Sequence, residues 1–182
     1  MKITETKLKD CLIIEPTVYK DSRGYFFESF NQSKFEALTG HSGEFVQDNQ
    51  SASSFGVIRG LHFQKGEHAQ AKLVRVIQGS VLDVAVDIRV DSETYGQWFS
   101  LELTGENNLQ LYVPRGFAHG FSVLSETAVF AYKCDNIYNK ASEGGINYSD
   151  PVLNIDWRIP ESERIVSDKD LVLPFFNDKF LL

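Results

Sequence analysis

Cysteine, proline, methionine and positive charge are all scarce in this chain of 182 residues, and each shortage narrows what it can be. The two cysteines, Cys11 and Cys134, form no CxxC pair. They are too few for a disulfide scaffold or a cysteine zinc site, and are expected to pack as small apolar residues. Lysine and arginine number 18 against 25 aspartates and glutamates, a net charge of −7. A broad nucleic-acid-binding face shows as a basic excess, so nucleic acid is not an expected partner. A few arginines focused on one phosphorylated small molecule remain compatible with that balance. Long apolar runs are missing from the N-terminal segment, where the longest is the four residues Cys11 to Ile14. A signal peptide needs an apolar region of roughly 7–15 residues and a membrane helix about 18. The expectation is a cytoplasmic protein with no membrane partner.

What is present is an ordinary globular composition, 42% hydrophobic and 24% charged. No repeat, low-complexity tract or linker divides it, so residues 1–182 are read as one domain. The dominant signal is period-two alternation, the mark of half-buried strands. Leu82, Val84, Val86 and Ile88 share one face, with Asp83, Ala85, Asp87 and Arg89 opposite. Phe99, Leu101 and Leu103 repeat the pattern, as do Leu109, Leu111 and Val113, and Ala128, Phe130, Tyr132 and Cys134. Turn signals separate these runs at Gln78-Gly79-Ser80, Thr104 to Asn108, and Pro114-Arg115-Gly116. Helix signals are few. Asn31 to Gly40 reads as one short helix, with Ser33 as N-cap, Glu36 completing a capping box and Gly40 as the stop. Ser167 to Leu171 has room for a further turn or two. Many short strands with little helix give an all-β protein: a sandwich, jelly roll or barrel.

Four histidines are available for chemistry: His41, His62, His68 and His119. No two are separated by a single residue, the spacing a metal-binding β-barrel would present, so no catalytic metal is expected. On a regular strand Arg59 and His62 would point to opposite faces, because their separation is odd. Gly60 between them is able to supply a bulge that re-aims one side chain; otherwise they read as a solvent arginine and a rim histidine. Lys72 lies on the apolar face of Val74 and Val76, and either snorkels from the strand end or is placed for chemistry. Tyr132 shares the face of Ala128 and Phe130 and is expected to point inward. There its hydroxyl needs a partner or donates a proton. Glu28 sits unusually among the aromatics Phe26 and Phe30, which by default fill a core. Tyr138 either stacks on a flat ligand ring or caps a turn.

Several of these pieces occur in a recognisable order. Asp21-Ser22-Arg23-Gly24-Tyr25-Phe26 leads to Phe45-Val46-Gln47-Asp48-Asn49, then to Arg59-Gly60-Leu61-His62-Phe63-Gln64. Lys72 to Arg75, Asp83 to Arg89, and Pro114 to Phe121 follow. Tyr132-Lys133, Ser142-Glu143-Gly144 and Ser167-Asp168-Lys169-Asp170 complete the series. This ordered set resembles the dTDP-4-dehydrorhamnose 3,5-epimerase family from about Lys2 to Asp170.

The resemblance implies a metal-free, cofactor-free jelly roll of cupin type, a homodimer, and the substrate dTDP-4-dehydro-6-deoxy-D-glucose, inverted at C3 and C5. It implies His62 as base, Asp170 as the carboxylate that orients it, Lys72 as the cation beside an enolate oxygen, and Tyr132 as proton donor from the opposite face. It also carries Arg23, Phe26, Glu28, Gln47, Asn49, Arg59, His119, Tyr138, Glu143 and Lys169 over to substrate binding, some of them across the dimer. The alternative is an epimerase acting at a single carbon of a related dTDP-keto-sugar. The apolar tail, Leu171 to Leu182, is expected to pack on the barrel or the dimer.

Overall fold

A computed structural model describes residues 1–176 of the chain. Its order is β1 (Lys2–Glu5), β2 (Leu12–Glu15), β3 (Tyr19–Asp21), β4 (Gly24–Phe26), α1 (Gln32–Thr39), β5 (Gln47–Ser54), β6 (Val57–Gln64), β7 (Lys72–Gln78) and β8 (Ser80–Asp87). There follow β9 (Trp98–Thr104), β10 (Gln110–Val113), β11 (Phe117–Val123), β12 (Thr127–Cys134), β13 (Glu143–Gly145), β14 (Ile165–Val166) and α2 (Asp168–Leu171). One sheet runs β1-β2-β10-β7-β12-β5, and a second runs β13-β6-β11-β8-β9, with β14 parallel to β6. β3 and β4 pair only with each other, as a separate ribbon. Two facing antiparallel sheets, between which the chain alternates from β5 to β8 and again from β9 to β12, make a jelly roll of cupin type, as expected.

The alternating strands form because each contributes one face to the space between the sheets. Val74, Val76, Leu111, Val113, Ala128 and Phe130 from the first sheet meet Val81, Ala85, Leu103, Phe117, Phe121 and Val123 from the second. Cys11 joins this layer and Cys134 is also buried, both as free thiols. Burial raises their pKa values, to about 12 and about 11, so both stay protonated and apolar at neutral pH.

Two expectations change. β8 is not half-buried: its other face, Leu82, Val84, Val86 and Ile88, packs under Ile146, Leu153 and Trp157. That covering segment is irregular, so period-two reading of β8 alone does not reveal it. Asp83 and Ala85 therefore look into the sandwich rather than into water. At α1 the N-cap is Asn31, not Ser33; its side chain accepts from Lys34 N–H, and Ser33 lies inside the helix. Gly40 ends it at φ 73°, as the sequence predicts. Ser167 caps α2. Beyond α2, Leu173 packs over Gly145 and Phe176 lies 5.4 Å from the Tyr95 ring, so this part of the tail seats on the barrel. Residues 177–182, the rest of the apolar tail, lie outside the described residues.

Candidate active site

The site grows from an irregularity between β6 and β11. Gly60, at φ +116°, and Gly120 approach so closely that a Cβ on Gly60 would lie 2.6 Å from the Gly120 Cα. A Cβ on Gly120 would lie equally close, at 2.6 Å, to the Arg59 carbonyl oxygen. Only two glycines permit this approach. The pairing slips there: His62 stands opposite His119, yet Arg59 stands opposite Phe121. Three steps on β6 are spanned by two on β11, which is a β-bulge. The extra residue cancels the odd separation, and Arg59 and His62 both line one cavity of about 620 Å³.

From the second sheet the cavity receives Arg59, His62 and His119; from the first it receives Asn49, Lys72 and Tyr132. Lys72 opens β7 on the face of the buried Val74 and Val76, and its Nζ lies 5.8 Å from the centre of the Tyr132 ring. It makes no ion pair among the described residues. Burial pulls its pKa below the ordinary lysine value, against the opposing fields of Cys134 and Asp83. Burial likewise pushes the Tyr132 phenol up, so the hydroxyl keeps its proton at neutral pH.

Asp170 arrives by a different route. β14 lies parallel beside the start of β6 and aims α2 at the cavity wall. Ser167 Oγ accepts from the Asp170 backbone N–H, which fixes the first turn of α2. The Asp170 carboxylate is 4% exposed, and its Oδ1 is 2.7 Å from His62 Nε2. Gly60 N–H donates to Oδ2 at 3.4 Å, so the bulge also helps hold the carboxylate. Burial alone would raise the Asp170 pKa. The hydrogen bond and charge of His62, with the Gly60 N–H and Ser167, outweigh it and hold the carboxyl below its usual range. His62 is thus left with Nδ1 for any ligand in the cavity.

Lys169, beside Asp170, lines the same cavity and pairs with Glu143. Tyr138 donates its hydroxyl to Glu143 at 3.2 Å and its backbone N–H to Gln47 Oε1 at 3.0 Å. Gln47 in turn donates to Asn49 Oδ1 at 3.1 Å. Gln47, Tyr138 and Glu143 therefore form a connected border running from Lys169 to Asn49.

Three residues singled out in the sequence stand apart. Arg23 and Phe26 belong to the β3–β4 ribbon, Phe26 is 70% exposed, and Arg23 is paired with Asp21. Glu28 is paired with Lys34. None of the three lines the cavity. Conversely, Gln50, Ser51, Val57 and Ile58 line it without having been named, and Phe121, Phe130 and Ser167, read only as strand, core or motif positions, line it as well. Phe121 and Phe130 share inward parity with His119 and Tyr132, which was the available signal. Among the described residues no group of His, Cys, Asp and Glu side chains converges as a metal site would.

A base with a carboxylate behind it, a buried ammonium and a protonated phenol can together remove a proton next to a carbonyl, hold the resulting anion, and return a proton. Known proteins of this architecture have a matching chemistry. The family model for dTDP-4-dehydrorhamnose 3,5-epimerase matches residues 5–178. A dTDP-4-dehydrorhamnose 3,5-epimerase of Salmonella typhimurium is 50% identical across 100% of this chain and 98% of its own length. The crystal structure of one from Elizabethkingia anophelis superposes with a TM-score of 0.95, at 64% identity, over 98% of both chains. A 3,5-epimerase from Legionella pneumophila, solved in complex with dTDP-4-keto-L-rhamnose, superposes at 0.89 with 48% identity, over 97% of this chain and 98% of that one.

Proposed function

The chain belongs to the dTDP-4-dehydrorhamnose 3,5-epimerase family, and from that premise we propose how its cavity performs the reaction. The enzyme inverts C3 and C5 of dTDP-4-dehydro-6-deoxy-D-glucose, giving dTDP-4-dehydro-L-rhamnose in dTDP-rhamnose synthesis. Both carbons flank the C4 ketone, so each proton leaves as an enolate forms. In a gluco-configured ring the two hydrogens lie on one face, and a single base serves both.

One observation carries the mechanistic reading: His62 comes from one sheet and Tyr132 from the other, and both line the same cavity. A sugar ring held between the sheets has a base on one face and an acid on the other. His62 takes the proton, and Asp170 orients the ring and stabilises the imidazolium that forms. Lys72 stands beside the developing oxyanion, a contribution worth several kcal/mol in a site that excludes water, roughly 3 kcal/mol for a single donor. Its lowered pKa suits it to sharing a proton with that oxygen. Tyr132 returns a proton from the opposite face, and that step makes the outcome an inversion rather than an exchange.

Arg59, His119, Asn49 and Lys169 bind the substrate within the cavity, with a guanidinium fork suited to the diphosphate. Gln47, Tyr138 and Glu143 border the nucleotide end, where the exposed Tyr138 ring offers a stacking face. Arg23, Phe26 and Glu28 act across a homodimer. The ribbon that carries Arg23 and Phe26 also exposes Tyr19 and Tyr25, a surface suited to a second copy. The setting is the cytoplasm, where nucleotide sugars are made; no helix among the described residues is long and apolar enough to cross a membrane.

Incubation with dTDP-4-dehydro-6-deoxy-D-glucose in heavy water tests the reading by mass spectrometry. Two incorporated deuterons are expected. One deuteron would reduce the enzyme to a single-carbon epimerase, and none would remove the proton-transfer roles altogether. Sedimentation at micromolar concentration tests the dimer, and a monomer with full activity would refute the cross-subunit roles.

A further inference from the structure

A second histidine–carboxylate pair faces the same cavity. Asp83, on the inward face of β8, is completely buried, and its two carboxylate oxygens lie 2.9 and 3.1 Å from His119 Nε2. No other hydrogen bond reaches that carboxylate among the described residues. A carboxylate of this kind only accepts, so the hydrogen sits on Nε2. Among the described residues His119 Nδ1 has no partner, and no buried side-chain polar atom lacks one; Nδ1 therefore opens on the cavity that His119 lines. His119 is also the cross-strand partner of His62, which puts it one strand, about 5 Å, from the proposed base.

The cavity is otherwise rich in groups that only donate: Arg59, Lys72 and Lys169. Those suit a diphosphate and a carbonyl oxygen. The hydroxyls of a hexose must also donate; Asp170 is committed to His62 and Gly60, and the side-chain acceptors besides His119 include the neutral oxygens of Asn49, Gln50, Ser51 and Tyr132. We propose that Asp83 is a positioning residue for substrate specificity: by accepting the hydrogen bond of Nε2–H it presents His119 Nδ1 as an acceptor for a hydroxyl of the sugar ring. The inference rests on the cavity holding a dTDP-hexose. It adds the chemical feature being read, a hydroxyl rather than an anion.

Two measurements on the full chain test it. In wild-type protein labelled with ¹⁵N-histidine, with His119→Gln for assignment, the His119 signals should show a protonated Nε2 and a bare Nδ1 near neutral pH. A protonated Nδ1 would overturn the proposal. In Asp83→Asn the carboxamide is able to donate to Nε2, which releases the tautomer. Affinity for dTDP should stay within twofold of wild type while affinity for dTDP-glucose falls at least tenfold. Equal losses for both ligands, or no loss for either, would also overturn it. Should Asp83→Asn not fold, the wild-type spectrum decides alone. Failure of wild-type protein to bind any dTDP-hexose would instead sink the functional reading, and is seen separately.

Discussion

Replacing Asp170 by asparagine is the sharpest test of the proposed base. The change keeps shape and removes one charge from a contact of 2.7 Å to His62 Nε2. Two unit charges about 4 Å apart interact by about 4 kcal/mol at an effective dielectric near 20. The His62 side chain is 33% exposed, so solvent screening reduces this to about 2 kcal/mol, or roughly thirtyfold in rate. The amide also offers Nε2 a donor as readily as an acceptor, so the ring loses its fixed tautomer. In a comparable triad that fault costs up to about 10⁴ in kcat. The expected loss in kcat therefore lies between about 30-fold and about 10⁴-fold. Affinity for dTDP should hold within a fewfold, since Asp170 contacts the base and not the nucleotide end. Single-turnover deuterium incorporation, beside calorimetric titration with dTDP, reads both quantities. A kcat within fivefold of wild type would refute the dyad, and a matching loss of dTDP affinity would show collapse of the site instead.

Tyr132→Phe should still exchange substrate protons with heavy water while inversion falls by about 10²–10⁴; parallel loss of both would remove its role as the opposing acid. Gly60→Ala should lower the melting temperature by well over 5 °C and abolish activity, because its Cβ would meet Gly120 Cα at 2.6 Å in a left-handed conformation. An active, stable G60A enzyme would show that the bulge is dispensable. Asp87 is wholly buried and accepts from Arg89, Ser92 and Thr94; Asp87→Ala should cost about 1–3 kcal/mol in chemical denaturation, since it takes the acceptor from the Ser92 and Thr94 hydroxyls while Arg89 keeps its pair with Asp10. Although burial works against it, those partners hold the Asp87 carboxyl below its usual value. The stability it contributes is therefore complete above about pH 4 and lost as pH falls through the lower folded-state pKa. A wild-type stability that did not fall on acidification below pH 4 would contradict this.

How much of this was legible beforehand depended on whether a residue's role is local. Lys72 and Tyr132 could be placed by parity, because each shares a regular strand face with core residues, Val74 and Val76 for one and Phe130 for the other. His62 and Arg59 could not, since strand parity separates them and only the bulge at Gly60 reunites them. A lone glycine in a strand suggests such a bulge without showing which side chain it turns. Asp83 was misleading in the other direction. Its alternation with Leu82 and Val84 places those leucine and valine residues on the favoured core face, until Trp157 and Leu153, from an aperiodic segment, bury that face from outside. With both faces of β8 buried, an aspartate pointing inward needs a partner, and His119 is 36 residues away in the chain.

The same logic explains why the inverting geometry is invisible in sequence. Inversion needs a base and an acid on opposite sides of one ring, and the residues proposed for those roles come from β6 and β12, strands that do not pair. Asp170 must then reach back along β14 to the start of β6 to complete the base. Each strand states which way its side chains face. The stacking of one sheet on the other decides which of those side chains meet, and the opposition of His62 and Tyr132 exists only at that level.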